Sequence, residues 1–277
     1  MHKDKFYSCR YYYNEKENKD LIITSSFDNH VKIITFSIHK DRPIIDFNFE
    51  NMGKDNFFIN TAYFISDTII AVPFSNNRKK IGMIHFYGLN NKMIIKEIKD
   101  TGFIIQLNGF YWKEKNKYYC LVSNLNDILV YDLEHFNLYH KFSSEKEEKN
   151  GFNEPNIIEK ENIKILVGSN FDFGCIFFWN FEEKTVISQI KLGSGISSYS
   201  LWDNKFMFAC LNGNKSKISL QHFVLINIDA KKTAKNFYIE NKDSYYDGIA
   251  IFRHKSKGDF LITTSLSGEL DLFIIKD

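Results

Sequence analysis

Proline, alanine, cysteine and arginine are all scarce in this chain. Three prolines leave no proline-rich linker, and six alanines leave no alanine-rich helix bundle. The four cysteines, Cys9, Cys120, Cys175 and Cys210, lie far apart, without the close pairs of a zinc site. They sit in apolar runs such as GCIFFW and FMFACL and read as small, buried, reduced thiols. Reduced thiols suit the cytoplasm, with the nucleus as the alternative. The only arginines are Arg10, Arg42, Arg78 and Arg253, so most positive charge is carried by lysine. Net charge is +2, from 36 basic and 34 acidic residues, which excludes a general field for nucleic acid or an anionic membrane. No segment approaches the ~18 apolar residues needed to span a bilayer. The N-terminal residues lack the apolar core of a secretory signal.

Aromatic and β-branched residues are what the chain has in quantity. With 27 Phe, 15 Tyr and a 44% hydrophobic share, it can bury a sizeable core and favours strands over helices. One short pattern recurs: a strand, a bulky residue, a polar or small residue, an apolar residue, a turn. It reads ILVYDLE at Ile128–Glu134, IFFWNFEE at Ile176–Glu183 and FVLINID at Phe223–Asp229. Weaker copies surround Ile34, Tyr87 and Phe273. The bulky anchors, Ile34, Tyr87, Tyr131, Trp179, Ile226 and Phe273, are separated by 53, 44, 48, 47 and 47 residues. That period, with alternation inside each copy, fits a four-stranded propeller blade better than a helical repeat.

A second landmark precedes the anchor. SSFD at Ser25–Asp28, SNLN at Ser123–Asn126 and SNFD at Ser169–Asp172 each follow an apolar run and precede another. Asp and Asn suit tight turns because their side chains hydrogen-bond nearby backbone, so each copy contains a hairpin. FLITTSLSGELDLFIIK at Phe260–Lys276 repeats it with Ser267-Gly268 in the turn. On these residues the chain resembles the WD-repeat β-propeller family. SSFDNHVKIITF and SNFDFGCIFFWN follow that family's hairpin, with Asp28 and Asp172 at its structural Asp and Trp179 at its Trp. Asn126 takes the same place in the third copy. The family's Gly-His pair is absent, and its Trp survives once. Aromatic packing is expected to replace its hydrogen-bond network.

The resemblance implies one all-β domain over residues 1–277, a propeller of about six four-stranded blades. First strands read at Lys5–Tyr13 and Phe103–Trp112. Outer strands read at Pro43–Phe49, Lys92–Lys99, Leu138–Phe142, Lys184–Leu192 and Asn236–Glu240. No outer strand follows Phe273. The last blade is therefore three-stranded, or the chain belongs to a longer propeller, or a partner adds the strand.

Signatures of chemistry are few. His135 and His140, with Glu134 adjacent, cross a turn rather than share a helical face, so no metal site is expected. LGSGIS at Leu192–Ser197 lacks the lysine of a phosphate loop, and no Gly-X-Ser-X-Gly elbow occurs. No catalytic set and no cofactor are expected. Three lysine-rich clusters stand out: Arg78-Lys79-Lys80, Lys113/Lys115/Lys117 and Lys231/Lys232/Lys235. The first falls at the turn end of a blade and the other two at the opposite end. The longest charged connection runs from Ser143 to Pro155. In the family, the residue before the turn Asp points to the face where partners dock. Carried over, those residues are Phe27, Leu125 and Phe171. They either anchor a partner or tuck over the neighbouring turn. The expected function is a non-catalytic protein-interaction scaffold. The alternatives are an enzyme using the central channel, and a reader of anionic lipid or nucleic acid through Arg78, Lys79 and Lys80.

Overall fold

Long runs such as KYYCLVSN and IKILVGSN are apolar on both alternating faces, which a strand tolerates only when both faces are covered. In the computed structural model these runs are indeed inner strands of stacked antiparallel sheets. It describes residues 3, 6–14, 16–36, 44–143, 151–160, 162–170, 174–192, 195–212, 221–239, 246–254, 258–265 and 270–275. The fold is all-β, six sheets of the β-propeller type in chain order. Two compact units are present, Met1–Glu145 and Lys146–Asp277.

The first unit holds three sheets. Sheet one runs β1 (Phe6–Asn14), β2 (Lys19–Ser26), β3 (His30–Phe36) and β4 (Ile44–Asn48). A short helix, α1 (Glu50–Lys54), leads to sheet two: β5 (Phe58–Ile59), β6 (Tyr63–Ser66), β7 (Ile69–Asn76), β8 (Ile81–Gly88) and β9 (Ile94–Ile98). Here the first blade strand is split, because β5 and β6 both pair with β7. The split falls beside Pro73, which has no N–H to give a ladder. Sheet three contains β10 (Ile104–Trp112), β11 (Lys117–Asn124), β12 (Asp127–Asp132) and β13 (Asn137–Ser143).

The second unit repeats the plan. Sheet four is β14 (Phe152–Lys160), β15 (Ile163–Asn170), β16 (Cys175–Asn180) and β17 (Thr185–Lys191). Sheet five is β18 (Gly195–Leu201), β19 (Phe206–Asn212), β20 (Gln221–Asn227) and β21 (Lys232–Ile239). Sheet six has three strands among the described residues: β22 (Tyr246–His254), β23 (Gly258–Ser265) and β24 (Leu270–Ile275). The strands expected from the sequence are all present, with ends moved by a few residues; β21 starts at Lys232, four residues earlier than read.

Cores form between neighbouring sheets within each unit. Ile23, Ile33 and Phe47 of sheet one meet Ile59, Phe74 and Tyr87 of sheet two. Ile84 and Phe86 meet Leu107, Cys120 and Tyr131. In the second unit Ile176 and Phe178 meet Ile196, Met207 and Ala209, and Phe223 meets Ile249 and Leu261. Fully burying one such Phe or Ile side chain stabilises by about 1.5–3 kcal/mol. The outermost strands, such as β9 and β17, are largely exposed.

The anchors share a local device. In sheets two to five the register between third and fourth strands slips immediately before Tyr87, Tyr131, Trp179 and Ile226. A bulge there bends the strand and raises its twist. Trp179 is buried, stacks on Phe177 with centroids 5.4 Å apart and meets Phe152 edge-on at 5.7 Å. Aromatic packing therefore does hold this anchor. One reading is corrected: Cys120, Cys175 and Cys210 are buried free thiols, but Cys9 is exposed on β1, where alternation turns it out of the core.

Candidate functional site

The hairpin turns at one end of the first unit gather the candidate residues. Phe27, in the β2–β3 turn, is 46% exposed. Its ring stacks on Phe58 of β5, centroids 6.4 Å apart and planes inclined by 27°. Phe58 in turn meets Phe103, just before β10, at 5.8 Å. Lys80, from the β7–β8 turn, holds its Nζ 5.3 Å above the Phe103 ring. Three sheets thus contribute to one ladder of aromatic rings closed by a cation. Cation–π geometry of this kind is worth roughly 0.5–1 kcal/mol at exposed sites.

Arg78 and Lys79 complete the charged rim of that ladder. All of Arg78, Lys79 and Lys80 are exposed. Their turn is shaped by Asn76, whose Oδ1 accepts the backbone N–H groups of Arg78 and Lys79, each at 3.1 Å. Lys80 adopts a left-handed φ of 55° and donates from Nζ to Asn77 Oδ1 at 2.6 Å. Asp46 anchors the flank of sheet one. Its partial burial pushes the carboxyl up, but hydrogen bonds and charge from His30 and Lys32 bring it below the ordinary value. The distances are 2.8 Å to His30 Nδ1 and 3.3 Å to Lys32 Nζ.

Of the other candidates, Leu125 is half-buried on the β11–β12 turn, outside the ring ladder. Asn126 is exposed beside it. Asp28 accepts the His30 N–H at 3.1 Å and receives the Lys3 N–H at 2.7 Å. Phe171 and Asp172 lie outside the described residues, as do 144–150 of the charged connection and Ser267-Gly268.

Sequence reading missed the residues that build the turns. In the third sheet Asn124 does so: its Oδ1 accepts the N–H groups of Asn126 and Asp127 at 2.8 and 2.7 Å, and its Nδ2 donates to the Thr101 carbonyl at 2.8 Å. Asn76 repeats this in sheet two, donating to the Asp55 carbonyl at 3.0 Å. The signal was on the page, because Ser-Asn stands before the turn three times. The preceding serines clip adjacent sheets together. Ser25 donates to the Asn60 carbonyl, while Ser75 bonds the Ile104 carbonyl at 3.0 Å and its N–H at 3.1 Å.

The opposite end of the first unit carries an open groove of about 450 Å³, lined by Ser66, Lys115, Lys117, Leu133 and Glu134 among others. Asp132, Glu134 and His135 bring ligand atoms within 4.8 Å of one another there. Lys117 already sits 2.7 Å from Glu134 and 3.5 Å from Asp132, and this pairing holds the Glu134 carboxyl below its usual value. The group behaves as an ion-pair network. His140 is elsewhere, edge-on to Phe142 on β13 at 4.7 Å.

In fold the chain is similar to a solved structure of U3-55K, a WD40 propeller protein. The TM-score is 0.71 at 10% identity, covering 100% of this chain and 79% of that one. No protein-family model and no curated protein matches the sequence. Among the described residues no helix is long and apolar enough to cross a membrane.

Proposed function

We propose that the chain is a non-catalytic interaction scaffold that receives a partner protein on the hairpin-turn end of its first unit. The observation that carries this is the ladder Phe27–Phe58–Phe103 with Lys80 above its last ring. A half-exposed aromatic held by neighbouring rings is ordered before binding, so little conformational entropy is lost when a partner covers it. The exposed Arg78 and Lys79 beside it favour a partner segment that pairs an apolar side chain with acidic residues. Likeness to a WD40 propeller supports the scaffold reading at the level of fold. Phe171, in the second unit, is proposed as a partner contact in its own right on the strength of its place in the repeat, and the cytoplasm is the compartment we infer.

The test is affinity capture with quantitative mass spectrometry, comparing the unaltered chain with Phe27→Ser, with Phe27→Ser/Phe171→Ser and with Arg78→Ser/Lys79→Ser/Lys80→Ser. Proteins lost from all three variants, with melting temperatures nearly unchanged, are the expected result. Equal loss of folding and capture would sink the reading. Salt-sensitive binding of RNA or anionic vesicles that disappears only in the triple charge variant would replace it with the anion-reader alternative.

A further inference from the structure

Three cations rim the aromatic ladder of the first unit, and none of them is paired with an acid among the described residues. Elsewhere in that unit Lys32 meets Asp46 at 3.3 Å, Lys117 meets Glu134 at 2.7 Å and Lys141 meets Asp127 at 3.3 Å. Arg78, Lys79 and Lys80 are exposed and form no such ion pair. Lys80 is nonetheless held in place. Its backbone takes the left-handed φ of 55°, uncommon for a residue other than glycine. Its Nζ donates to Asn77 Oδ1 at 2.6 Å and stands 5.3 Å above the Phe103 ring. Both of those contacts are uncharged, so the ammonium group keeps its charge for an acceptor from outside.

The same turn decides which anion fits. The backbone N–H groups of Arg78 and Lys79 are both taken by Asn76 Oδ1, each at 3.1 Å. No cradle of main-chain donors is left there for the several oxygens of a phosphate. What remains is side-chain charge, which a carboxylate satisfies. Ring spacing sets the rest. Phe27 to Phe58 is 6.4 Å and Phe58 to Phe103 is 5.8 Å. Alternate residues of an extended chain stand about 6.6 Å apart on one face. Side chains two and four places along such a segment therefore track the ladder from Phe27 towards Lys80.

We infer that the partner segment is extended, with an aromatic or aliphatic residue on Phe27 and an aspartate or glutamate on Lys80, two or four residues away on the same face. This deepens the reading of Phe27 as a docking face and rests on it. Lys80 is the specificity-determining residue, because it fixes the sign and the place of the partner's charge. Arg78 and Lys79 add attraction during approach.

The test is selection of displayed random nonapeptides on the unaltered chain and on Lys80→Glu, Lys80→Gln and Phe27→Ser, with melting temperatures compared. The unaltered chain is expected to enrich Asp or Glu two or four places from an aromatic or aliphatic residue. Lys80→Glu should exchange that acidic preference for Lys or Arg at the same spacing. Lys80→Gln, which keeps a polar side chain without the charge, should lose the preference without replacing it, and it reads the charge alone if Lys80→Glu disturbs folding. A labelled peptide from the enriched set should bind Lys80→Glu at least roughly ten-fold more weakly in fluorescence anisotropy. No enrichment, enrichment without an acidic position, or an acidic preference that survives both Lys80 variants overturns the inference. So does a gain of ten-fold or more on exchanging the acidic residue for phosphoserine, which would make phosphate the acceptor. Peptides that need Phe27 but ignore Lys80 would remove this inference and leave the docking face standing. Peptides that need neither remove both.

Discussion

The Phe27 ring lies on Phe58 at a centroid distance of 6.4 Å while 46% of its surface remains in solvent. Contact with Phe58 orders Phe27 without removing it from the surface. Stability and binding should therefore separate at this position. Phe27→Ala is expected to cost under about 1 kcal/mol, and Phe58→Ala, which lies between two rings, more. The coupling between them in a double-mutant cycle, measured by urea unfolding, should be about 0.5–1.5 kcal/mol. Strict additivity would mean that the rings do not support each other.

Ser75 is fully buried and bonds both the carbonyl and the N–H of Ile104 in the adjoining sheet. Ser75→Ala removes the partner of the Ile104 N–H, while the Ile104 carbonyl keeps the Asn60 amide. We expect a loss of about 1–3 kcal/mol in denaturant unfolding. A change within experimental error would show that the clip between sheets is dispensable.

Trp179 is the one Trp at an anchor, clasped by Phe152 and Phe177. Trp179→Ala should cost about 3–5 kcal/mol through the cavity it leaves, and Trp179→Phe clearly less. Thermal melts of the two variants check the order. Equal losses would point away from packing and toward the indole N–H.

His85 is buried on β8, with Nε2 2.8 Å from Glu97 and Nδ1 3.1 Å from the Tyr87 hydroxyl. Burial holds its imidazole below the ordinary value, against the pull of Glu97. The unfolded chain therefore binds a proton near the free value of about 6.5 that the folded chain takes up only at lower pH. Stability from this group is complete above about pH 6.5 and declines as pH falls through the folded value. Glu97, held low by Lys99 with help from His85, changes stability in the same direction but at lower pH. His85→Gln should flatten the melting temperature profile below about pH 6.5. Parallel profiles would contradict the burial argument.

Much of the architecture was legible because strand patterning is local. The anchors at Ile34, Tyr87, Tyr131, Trp179, Ile226 and Phe273 all fall on third strands, and Ser-X-X-Asp/Asn marked the hairpin turns. The split of the first strand in sheet two was not read, although Pro73 stood in plain view, because its effect is felt on a neighbouring strand. Cys9 was misread as buried, since an apolar neighbourhood in sequence does not say which face of a strand meets the core. The turn asparagines escaped notice because Asp28, Asn126 and Asp172 drew the reading to the fourth position of each turn. In sheet three the second position, Asn124, carries the hydrogen bonds.

Residue order alone determined the repeat and the strand alternation, since both depend on spacing along the chain. Only the tertiary structure decided which residues share a surface. Phe58 and Lys80 come from sheet two and Phe103 from the start of sheet three, and their meeting beside Phe27 of sheet one is set by how sheets stack within the first unit. Leu270 likewise looks like Ile84 or Ile176 in sequence. Ile84 and Ile176 are buried because the following sheet of their own unit packs on them, so burial at this place depends on that neighbour and not on the residue itself.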